Sequence, residues 1–230
     1  MSAMIRGTLG WSRGAEVTGP TREVHHADAL AFLLARPRAP GASLVTSLPD
    51  VSELGQPLEA WAAFFAEAAA ACLDAVPPEG VAVFFQTDKK VDGRWISKAG
   101  ALLQVAAAQG VPLVWHKIVC RRPPGTVIPG RPGFSHLLCF SREARAPALP
   151  GTPDVLPELG ELPWSHSMGR AAAELAVDAV RRLSPATHTV LAPFCGTGLV
   201  LDVAMAAGFS AVGIERNRKR ADRARAGAPP

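Results

Sequence analysis

The chain has 230 residues, a formal net charge of +4 and a pI near 9.2, with 48% hydrophobic and 19% charged residues. This apolar content is enough for a large core, so a wholly disordered chain is excluded. Apolar stretches such as 29–35 are far shorter than the ~20 residues that a membrane helix needs. The mildly basic charge permits a nucleic-acid partner but does not require one.

Cysteine usage and the first residues bear on the cellular compartment. The four cysteines are scattered, without a C-x-x-C pair: Cys72, Cys120, Cys139 and Cys195. This spacing predicts reduced thiols in a cytoplasmic protein, and it favours neither a disulfide framework nor a metal site. Residues 1–10 contain Arg6 but no apolar run, so a secretory signal is not expected.

Strands and helices alternate along most of the chain. Strands are predicted at 22–26, 43–46, 81–85, 111–119, 135–141, 189–192 and 211–214, and helices at 29–35, 58–76, 97–109, 167–183, 199–207 and 217–226. The connection 121–134 is rich in Pro, Gly and Arg and is a poor candidate for a crossover helix, so the strands around it are expected to pair antiparallel. The pattern predicts an α/β fold, with a mostly parallel seven-stranded sheet, one antiparallel edge strand, and helices on both faces.

A glycine-containing loop, Pro193 to Gly198, separates a predicted strand from a predicted helix. Its glycines let the backbone approach a ligand closely, and the helix N-terminus offers free N–H groups to a negative group. Glu215 ends the following strand, where a carboxylate can accept both hydroxyls of a ribose. The arrangement favours a nucleoside-type cofactor, and the alternative is a tight connection without a ligand.

The loop is neither G-x-G-x-x-G, since Leu201 stands at the last position, nor a P-loop. Phe-Cys-Gly-Thr-Gly resembles the glycine loop of S-adenosylmethionine-dependent methyltransferases, and above all that of the nucleic-acid amino-methyltransferases. Their usual motif is Asp-Pro-Phe-x-Gly-x-Gly, and Ala192 stands where that Asp is expected. The resemblance implies S-adenosylmethionine as cofactor, contacted by Pro193, Phe194, Cys195, Gly196, Thr197, Gly198, Glu215 and Arg216.

Only 32 residues follow Gly198, too few for the rest of such a sheet, so the other strands must come from the N-terminal part. There, 25–30 resembles the segment whose acid contacts the adenine of the cofactor, which implies that role for Asp28. Ser47-Leu48-Pro49-Asp50 occupies the place of the family's [Asp/Asn/Ser]-Pro-Pro-aromatic motif. Weaker likenesses are a Trp-x-Lys strand at 114–117, a following strand at 133–141, and a lead-in at Pro163-Trp164.

This order of motifs resembles the circularly permuted β-class of amino-methyltransferases over most of 21–220. It implies a single domain, 1–230, with a target-side half at 21–143 and a cofactor-loop half at 163–226. The Pro-rich stretch 144–162 is the predicted linker between these halves.

Methyl transfer to an exocyclic amine needs acceptors for its two hydrogens while the lone pair faces the methyl group. The resemblance implies Ser47, Pro49 and Asp50 as catalytic residues, with Ser47 also near the cofactor and the Leu48 carbonyl as a second acceptor. Asp50 replaces the aromatic that stacks on the extruded base. Three alternatives stay open: Asp50 acts as a base, the segment is a plain turn, or another aromatic stacks, namely Trp95, Trp115, Phe134 or Trp164.

Residues that follow the predicted strands 81–85 and 111–119 are candidates for target binding, because open sheets bind ligands at their carboxyl ends. Arginines next to aromatic side chains suit a phosphate backbone and a stacked base. The predicted substrate-binding residues are Asp88, Lys89, Trp115, Lys117, Arg121, Arg122, Arg131 and Phe134. A solvated strand-end turn is the alternative for Asp88 and Lys89.

The predicted function is S-adenosylmethionine-dependent methylation of a base nitrogen in a nucleic acid. RNA, such as tRNA or rRNA, is favoured, because the chain leaves little room for a region that reads DNA sequence. The alternatives are a DNA N6-adenine or N4-cytosine methyltransferase, a non-catalytic member that binds cofactor or RNA, and a small-molecule methyltransferase. A monomer or homodimer is expected, with a possible partner subunit for target recognition and no membrane contact.

Overall fold

In the computed structural model, the described residues are 19–36, 38–146, 151–162 and 167–227. The elements in chain order are β1 (Arg22–His26), α1 (Ala29–Leu34), β2 (Ala42–Thr46), α2 (Val51–Leu54), α3 (Leu58–Ala75), β3 (Ala82–Gln86), β4 (Lys89–Val91), β5 (Arg94–Ile96), α4 (Lys98–Ala108), β6 (Leu113–Cys120), β7 (Phe134–Phe140), β8 (Val155–Leu156), α5 (Arg170–Leu183), β9 (Thr189–Pro193), α6 (Leu199–Ala206), β10 (Ser210–Glu215) and α7 (Arg218–Ala226). The predicted Pro163-Trp164 lead-in and residues 1–10 lie outside the described residues.

The main sheet of the described chain has the strand order β1-β10-β9-β2-β3-β7-β6-β8. Its first five strands pair in parallel, whereas β7 runs antiparallel to both β3 and β6. The predicted mostly parallel α/β sheet is confirmed, and its antiparallel strand lies near one end, between β3 and β6. After β6 the chain turns back, and β7 pairs antiparallel with β6 as in a β-hairpin. β7 therefore lies between β3 and β6. Two-residue β8 is an additional strand, and it lies within the predicted linker 144–162.

The C-terminal strands complete a sheet begun by the N-terminal part, as the permuted order predicts. β9 and β10 lie between β1 and β2. The first strand of the chain is therefore at one edge of the sheet, and the last two strands lie inside the sheet. From β9 the connections run towards β1, and from β2 they run towards β3. The point where these directions diverge, between β9 and β2, is where open α/β sheets form a crevice for ligands.

Side chains of the parallel strands alternate between two buried clusters, one on each face of the sheet. On β3, Val83 and Phe85 face the cluster made with α5, α6 and α7, whereas Phe84 faces the cluster made with α3 and α4. This two-sided burial explains why the strand sequences read as continuous apolar runs. Within the described residues, no helix is long and apolar enough to cross a membrane.

Besides β8, two short features were absent from the sequence prediction. One is α2, a single helical turn directly after the Ser47–Asp50 segment, and the other is the β4–β5 hairpin, which connects β3 to α4. The main-sheet strands other than β8 and the longer helices match the predicted ranges within three residues. Both unpredicted features lie at the carboxyl edge of the parallel strands, beside the candidate site.

Candidate active site

A cavity of about 480 Å³ opens at the carboxyl ends of β9 and β2, where the strand order predicts a crevice. Its volume is within the usual range for small-molecule sites. Residues from four strand ends meet in it: Asp28 after β1, Ser47 and Pro49 after β2, the loop Pro193 to Thr197 after β9, and Glu215 and Arg216 at the end of β10. The structure therefore brings together most residues predicted from separate parts of the sequence to contact the cofactor.

The loop after β9 shapes one wall of the cavity through its backbone. Phe194, with φ of 59°, is one of two described non-glycine residues in the left-handed region, and Gly196 has the same φ. The ring of Phe194 packs edge-to-face on Phe64, which holds this conformation. α6 begins without a side-chain cap, and Leu199 and Val200 of its first turn line the cavity. The free N–H groups of this turn can bind a carboxylate.

Gly198 has a different role from the one predicted. It is not among the residues that line the cavity, and its φ of 98° is at the start of α6. A Cβ atom at this position would lie 3.0 Å from Cα of Ala224 on α7. Gly198 therefore allows the loop to approach α7 closely.

Glu215 is buried at the base of the cavity and holds the loop in place. Its Oε2 accepts a hydrogen bond from the Gly196 N–H at 3.0 Å, and its Oε1 accepts one from the Asn217 N–H at 2.7 Å. A carboxylate oxygen can accept more than one hydrogen bond. Glu215 can therefore hold the loop and still accept ribose hydroxyls.

Two further predicted cofactor residues have defined local roles. Asp28 Oδ1 caps α1 by accepting a hydrogen bond from the Ala31 N–H at 2.9 Å. Cys195 lines the cavity, where burial and the neighbouring Glu215 raise the pKa of its thiol to about 12. A thiol with this pKa is neutral at pH 7, which agrees with packing rather than nucleophilic attack.

Ser47 and Pro49, after β2, line the same cavity as the glycine loop after the adjacent strand β9. Buried Thr46 joins the two sides, because its hydroxyl donates to the carbonyl of Pro193. Among the described residues, none forms a hydrogen bond with the Ser47 hydroxyl. Ser47 is therefore the available polar side chain of the Ser-Leu-Pro-Asp segment at this cavity.

Lys98, next to the Ser47–Asp50 segment, is a buried cation that the sequence does not predict. It is 3% exposed, and its Nζ donates to the Leu48 carbonyl at 3.1 Å. Burial lowers the pKa of Lys98 to about 8, and the negative charges of Asp50, Glu53 and Asp88 limit the shift. The carbonyl predicted to accept a hydrogen from the target amine is thus already bound by a buried amine of the protein.

The Asp50 carboxylate is used within the protein. It forms a capping box with Glu53 at the start of α2, with Oδ1 accepting from the Ser52 N–H at 2.8 Å. Burial alone would raise the pKa of Asp50, but the Ser52 hydroxyl and the charges of Lys89 and Lys98 lower it overall. An ionised carboxylate with a low pKa is a weak base, so this geometry argues against Asp50 as a catalytic base.

The predicted target residues after β3 also have structural partners. Asp88 Oδ1 accepts a hydrogen bond from the Lys98 N–H at 2.9 Å at the start of α4, and its Oδ2 lies 3.4 Å from Nε2 of His136. Lys89 Nζ lies 3.4 Å from Oδ2 of Asp50. Asp88 thus fixes α4 and Lys89 fixes the hairpin, so neither side chain is free in this structure to bind a target.

The predictions for Trp115 and Lys117 require correction. Lys117 is 4% exposed, pairs with Asp154 at 2.9 Å, and donates to the carbonyls of Thr152 and Pro153. Trp115 is half-buried and packs against the core. Lys117 therefore holds the 152–154 segment to the sheet, and its Nζ lies 5.5 Å from the ring of Trp115.

Arg121, Arg122, Arg131 and Phe134 remain at the carboxyl edge as predicted. Burial and the like charges of Arg131 and Arg122 lower the pKa of Arg121, so the three guanidinium groups are close enough to repel one another. Phe134 is 41% exposed and meets His136 edge-to-face. Among the described residues, no carboxylate forms an ion pair with these three arginines, so they are available to an anion such as phosphate.

Among the described residues, no group of His, Cys, Asp and Glu is arranged to hold a metal ion.

No protein-family model matches the sequence, and no curated protein matches it. Solved structures do match. TTHA0409 of Thermus thermophilus, assigned as a DNA modification methylase and complexed with S-adenosyl-L-methionine, is 22% identical, with a TM-score of 0.64 over 89% of this chain and 91% of that chain.

Two further solved structures show the same architecture at lower identity. The M1.HpyAVI complex with SAM is 15% identical, with a TM-score of 0.61 over 90% of this chain and 98% of that chain. The PvuII DNA methyltransferase, described as cytosine-N4-specific, is also 15% identical, with a TM-score of 0.64 over 90% of this chain and 87% of that chain. These likenesses show that the chain has the Rossmann-like fold of these methyltransferases.

Proposed function

We propose that the protein is an S-adenosylmethionine-dependent methyltransferase that acts on a base nitrogen of DNA. The observation that carries this proposal is a single cavity with two groups of lining residues: the loop at Gly196 with Glu215, here called the cofactor end, and Ser47 with Pro49, here called the target end. Each end supplies groups that one of the two substrates needs, and both ends face the same space.

The residues of the cavity fit the cofactor in type and position. The loop N–H groups and the first turn of α6 suit its carboxylate, and Glu215 suits the ribose hydroxyls. Asp28, directly after the neighbouring strand β1, also lines the cavity, and we assign it the adenine of the cofactor. When bound, S-adenosylmethionine supplies an electrophilic methyl group. The protein's part is to orient the acceptor nitrogen, and the Ser47 hydroxyl can accept a hydrogen bond from the amine at that point.

The sequence alone favours RNA as the target, but the structural comparisons do not support RNA. TTHA0409 and the PvuII enzyme are described as acting on DNA. The length of the chain does not argue against DNA, because the chain matches 91% of TTHA0409 and 87% of the PvuII enzyme. These two proteins are therefore of similar size to this chain. DNA is therefore the proposed substrate, with an exocyclic amino group of adenine or cytosine as the acceptor.

The test is transfer of a labelled methyl group from S-adenosylmethionine to duplex DNA, single-stranded DNA and total RNA. The expected result is label in DNA, recovered after digestion as an N-methylated adenine or cytosine. Ser47→Ala is expected to lower kcat about tenfold while leaving cofactor affinity unchanged. The matched control is Ser210→Ala, because Ser210 begins β10 at the amino ends of the parallel strands and does not line the cavity. Label in RNA alone would contradict the proposal.

A second candidate function is cofactor binding without catalysis. Two observations favour it: Lys98 binds the Leu48 carbonyl at 3.1 Å, and Asp50 serves as a helix cap instead of a stacking aromatic. Tight binding of S-adenosylmethionine with no methyl transfer to any of the three nucleic acids would establish this candidate in place of the enzyme.

A further inference from the structure

The β4–β5 hairpin is an exposed, positively charged element beside the Ser47–Asp50 segment. It follows β3 at the carboxyl edge of the parallel strands, the edge onto which the cavity opens. Its residues 89–96 include three cations and one anion: Lys89, Lys90, Arg94 and Asp92. A cationic projection thus stands next to the proposed reaction centre.

The hairpin has an inner and an outer face, because its register pairs Lys89 with Ile96 and Lys90 with Trp95. On the inner face, Lys89 reaches Asp50 and Ile96 packs against the core. On the outer face, Lys90 is exposed and Trp95 is 54% exposed. An ammonium group beside an indole ring matches nucleic acid, because the cation meets phosphate and the ring stacks on a base.

The turn of the hairpin holds this outer face in position. Asp92 and Gly93 both have positive φ, at 47° and 78°, as in the two-residue turns that match the twist of paired strands. Strands of three residues are marginal on their own, so the inner-face contacts with Asp50 and the core are needed to hold them. The outer face is therefore presented on a fixed support.

We propose that this outer face binds DNA, with Trp95 stacking on a base exposed during extrusion of the target and Lys90 contacting phosphate. This inference rests on the proposed function. Trp95 is the most exposed of the described aromatic side chains, at 54%. Among the described aromatic candidates, Trp115 packs against the core and Phe134 meets His136, whereas Trp95 has no ring partner.

The test measures binding of two labelled DNA duplexes of random sequence, one fully paired and one with a mismatch, by fluorescence anisotropy over a range of salt. Trp95→Ala is expected to weaken binding about tenfold, more for the mismatched duplex, because its bases unstack more easily. Trp95→Phe keeps an aromatic ring and retains most of the affinity. Lys90→Ala lowers the slope of log K against log salt by about one.

Two variants serve as matched controls. Leu34→Ala removes an apolar side chain that is 61% exposed on α1, and Arg181→Ala removes an exposed cation on α5. Both are expected to bind the duplexes as the unmodified chain does. Thermal unfolding of each variant shows whether a loss of binding comes from a loss of fold.

Unchanged duplex binding by Trp95→Ala would overturn this inference, as would equal losses in Trp95→Phe and Trp95→Ala. Tighter binding of matched RNA duplexes than of DNA would also overturn it. Failure of the proposed function is a different result: the unmodified chain would transfer no methyl group, whatever the anisotropy shows. The two proposals therefore fail through separate measurements.

Discussion

The two ends of the cavity keep the resembled pattern to different degrees. At the cofactor end, the loop at Gly196, the uncapped start of α6 and buried Glu215 are all arranged as a nucleoside cofactor requires. At the target end, Leu48 and Asp50 depart from the pattern, and their polar groups are bound by Lys98 and by α2. The cofactor end has N–H groups that are available to a ligand, whereas most polar groups of the target end already have hydrogen-bond partners within the protein.

Topology explains the difference. The cofactor end is built mainly from backbone at the point where the strand order diverges, so the sheet itself places free N–H groups there, and Glu215 is the one side chain on which it depends. The target end depends on side chains after β2 and β3, which can change without altering the sheet. The fold therefore specifies the cofactor more strongly than it specifies the target.

The largest expected effect is at the cofactor end. Gly196→Arg places a long side chain in the cavity and is expected to weaken S-adenosylmethionine binding on the order of a thousandfold, measured by equilibrium dialysis. Gly110→Arg is the matched control. Gly110 has a φ of 64° and open space around it, so the backbone strain is similar but the cavity is unaffected. Equal loss in both variants would show that strain, and not the cavity, causes the effect.

The next-largest effect is at the target end, and it concerns how the free energy of unfolding changes with pH. The folded pKa of Lys98 is about 8, below its ordinary value of 10.5, so between these values the unfolded chain binds more protons. The free energy of unfolding attributable to Lys98 therefore rises from about pH 8 to pH 10.5, on the order of 3 kcal/mol. Lys98→Met is expected to lose this rise in denaturant titrations.

Other groups titrate in the same range and act in the opposite direction. Burial raises the pKa of the thiols of Cys72 and Cys139, so their unfolded forms lose protons first and stability falls as the pH rises. The difference between the unmodified chain and Lys98→Met isolates the lysine from these thiols. If the difference in the free energy of unfolding between the two proteins did not change from about pH 8 to pH 10.5, the lowered pKa of Lys98 would be contradicted.

A smaller effect is expected from Glu215→Gln. The amide keeps one acceptor but turns an NH₂ group towards an N–H donor of Gly196 or Asn217, and it removes the charge that meets the ribose. S-adenosylmethionine affinity is expected to fall about tenfold or more, because hydrogen bonds to charged groups are worth about 1.5–3 kcal/mol. Titration calorimetry measures this, with exposed Glu59→Gln as the control. Unchanged affinity would remove Glu215 from the cofactor site.

The smallest effect is expected from Asp50→Ala. Loss of the capping box at α2 costs about 1 kcal/mol of stability, measured by thermal unfolding, and leaves S-adenosylmethionine affinity unchanged. Asp50→Asn keeps a side-chain oxygen as the cap and is expected to lose less. If Asp50→Asn abolished methyl transfer while remaining folded, Asp50 would be a catalytic base after all.

The order of elements was accessible from the sequence because strands buried on both faces read as apolar runs between Pro- and Gly-rich loops. The Val81–Phe85 run predicted β3 for this reason. The β4–β5 hairpin was not predicted, because three-residue strands with Lys89, Lys90 and Arg94 show no clear alternation. β8 was missed because two residues leave no pattern.

A position at the cavity was predictable where spacing along the chain fixes position in the sheet, as for Gly196 and Glu215. They were not predictable where burial depends on a distant partner. Lys98 follows Ser97 at a helix start and reads as exposed, yet α4 buries it against a carbonyl 50 residues away. Lys117 looked free for a target but pairs with Asp154.

The central claim is that the cavity binds S-adenosylmethionine, and calorimetric titration of the unmodified chain tests it most directly. The account predicts one binding site per chain with micromolar affinity, and competition by S-adenosylhomocysteine. No saturable binding heat at several temperatures, together with no protection against thermal unfolding by the cofactor, would contradict it.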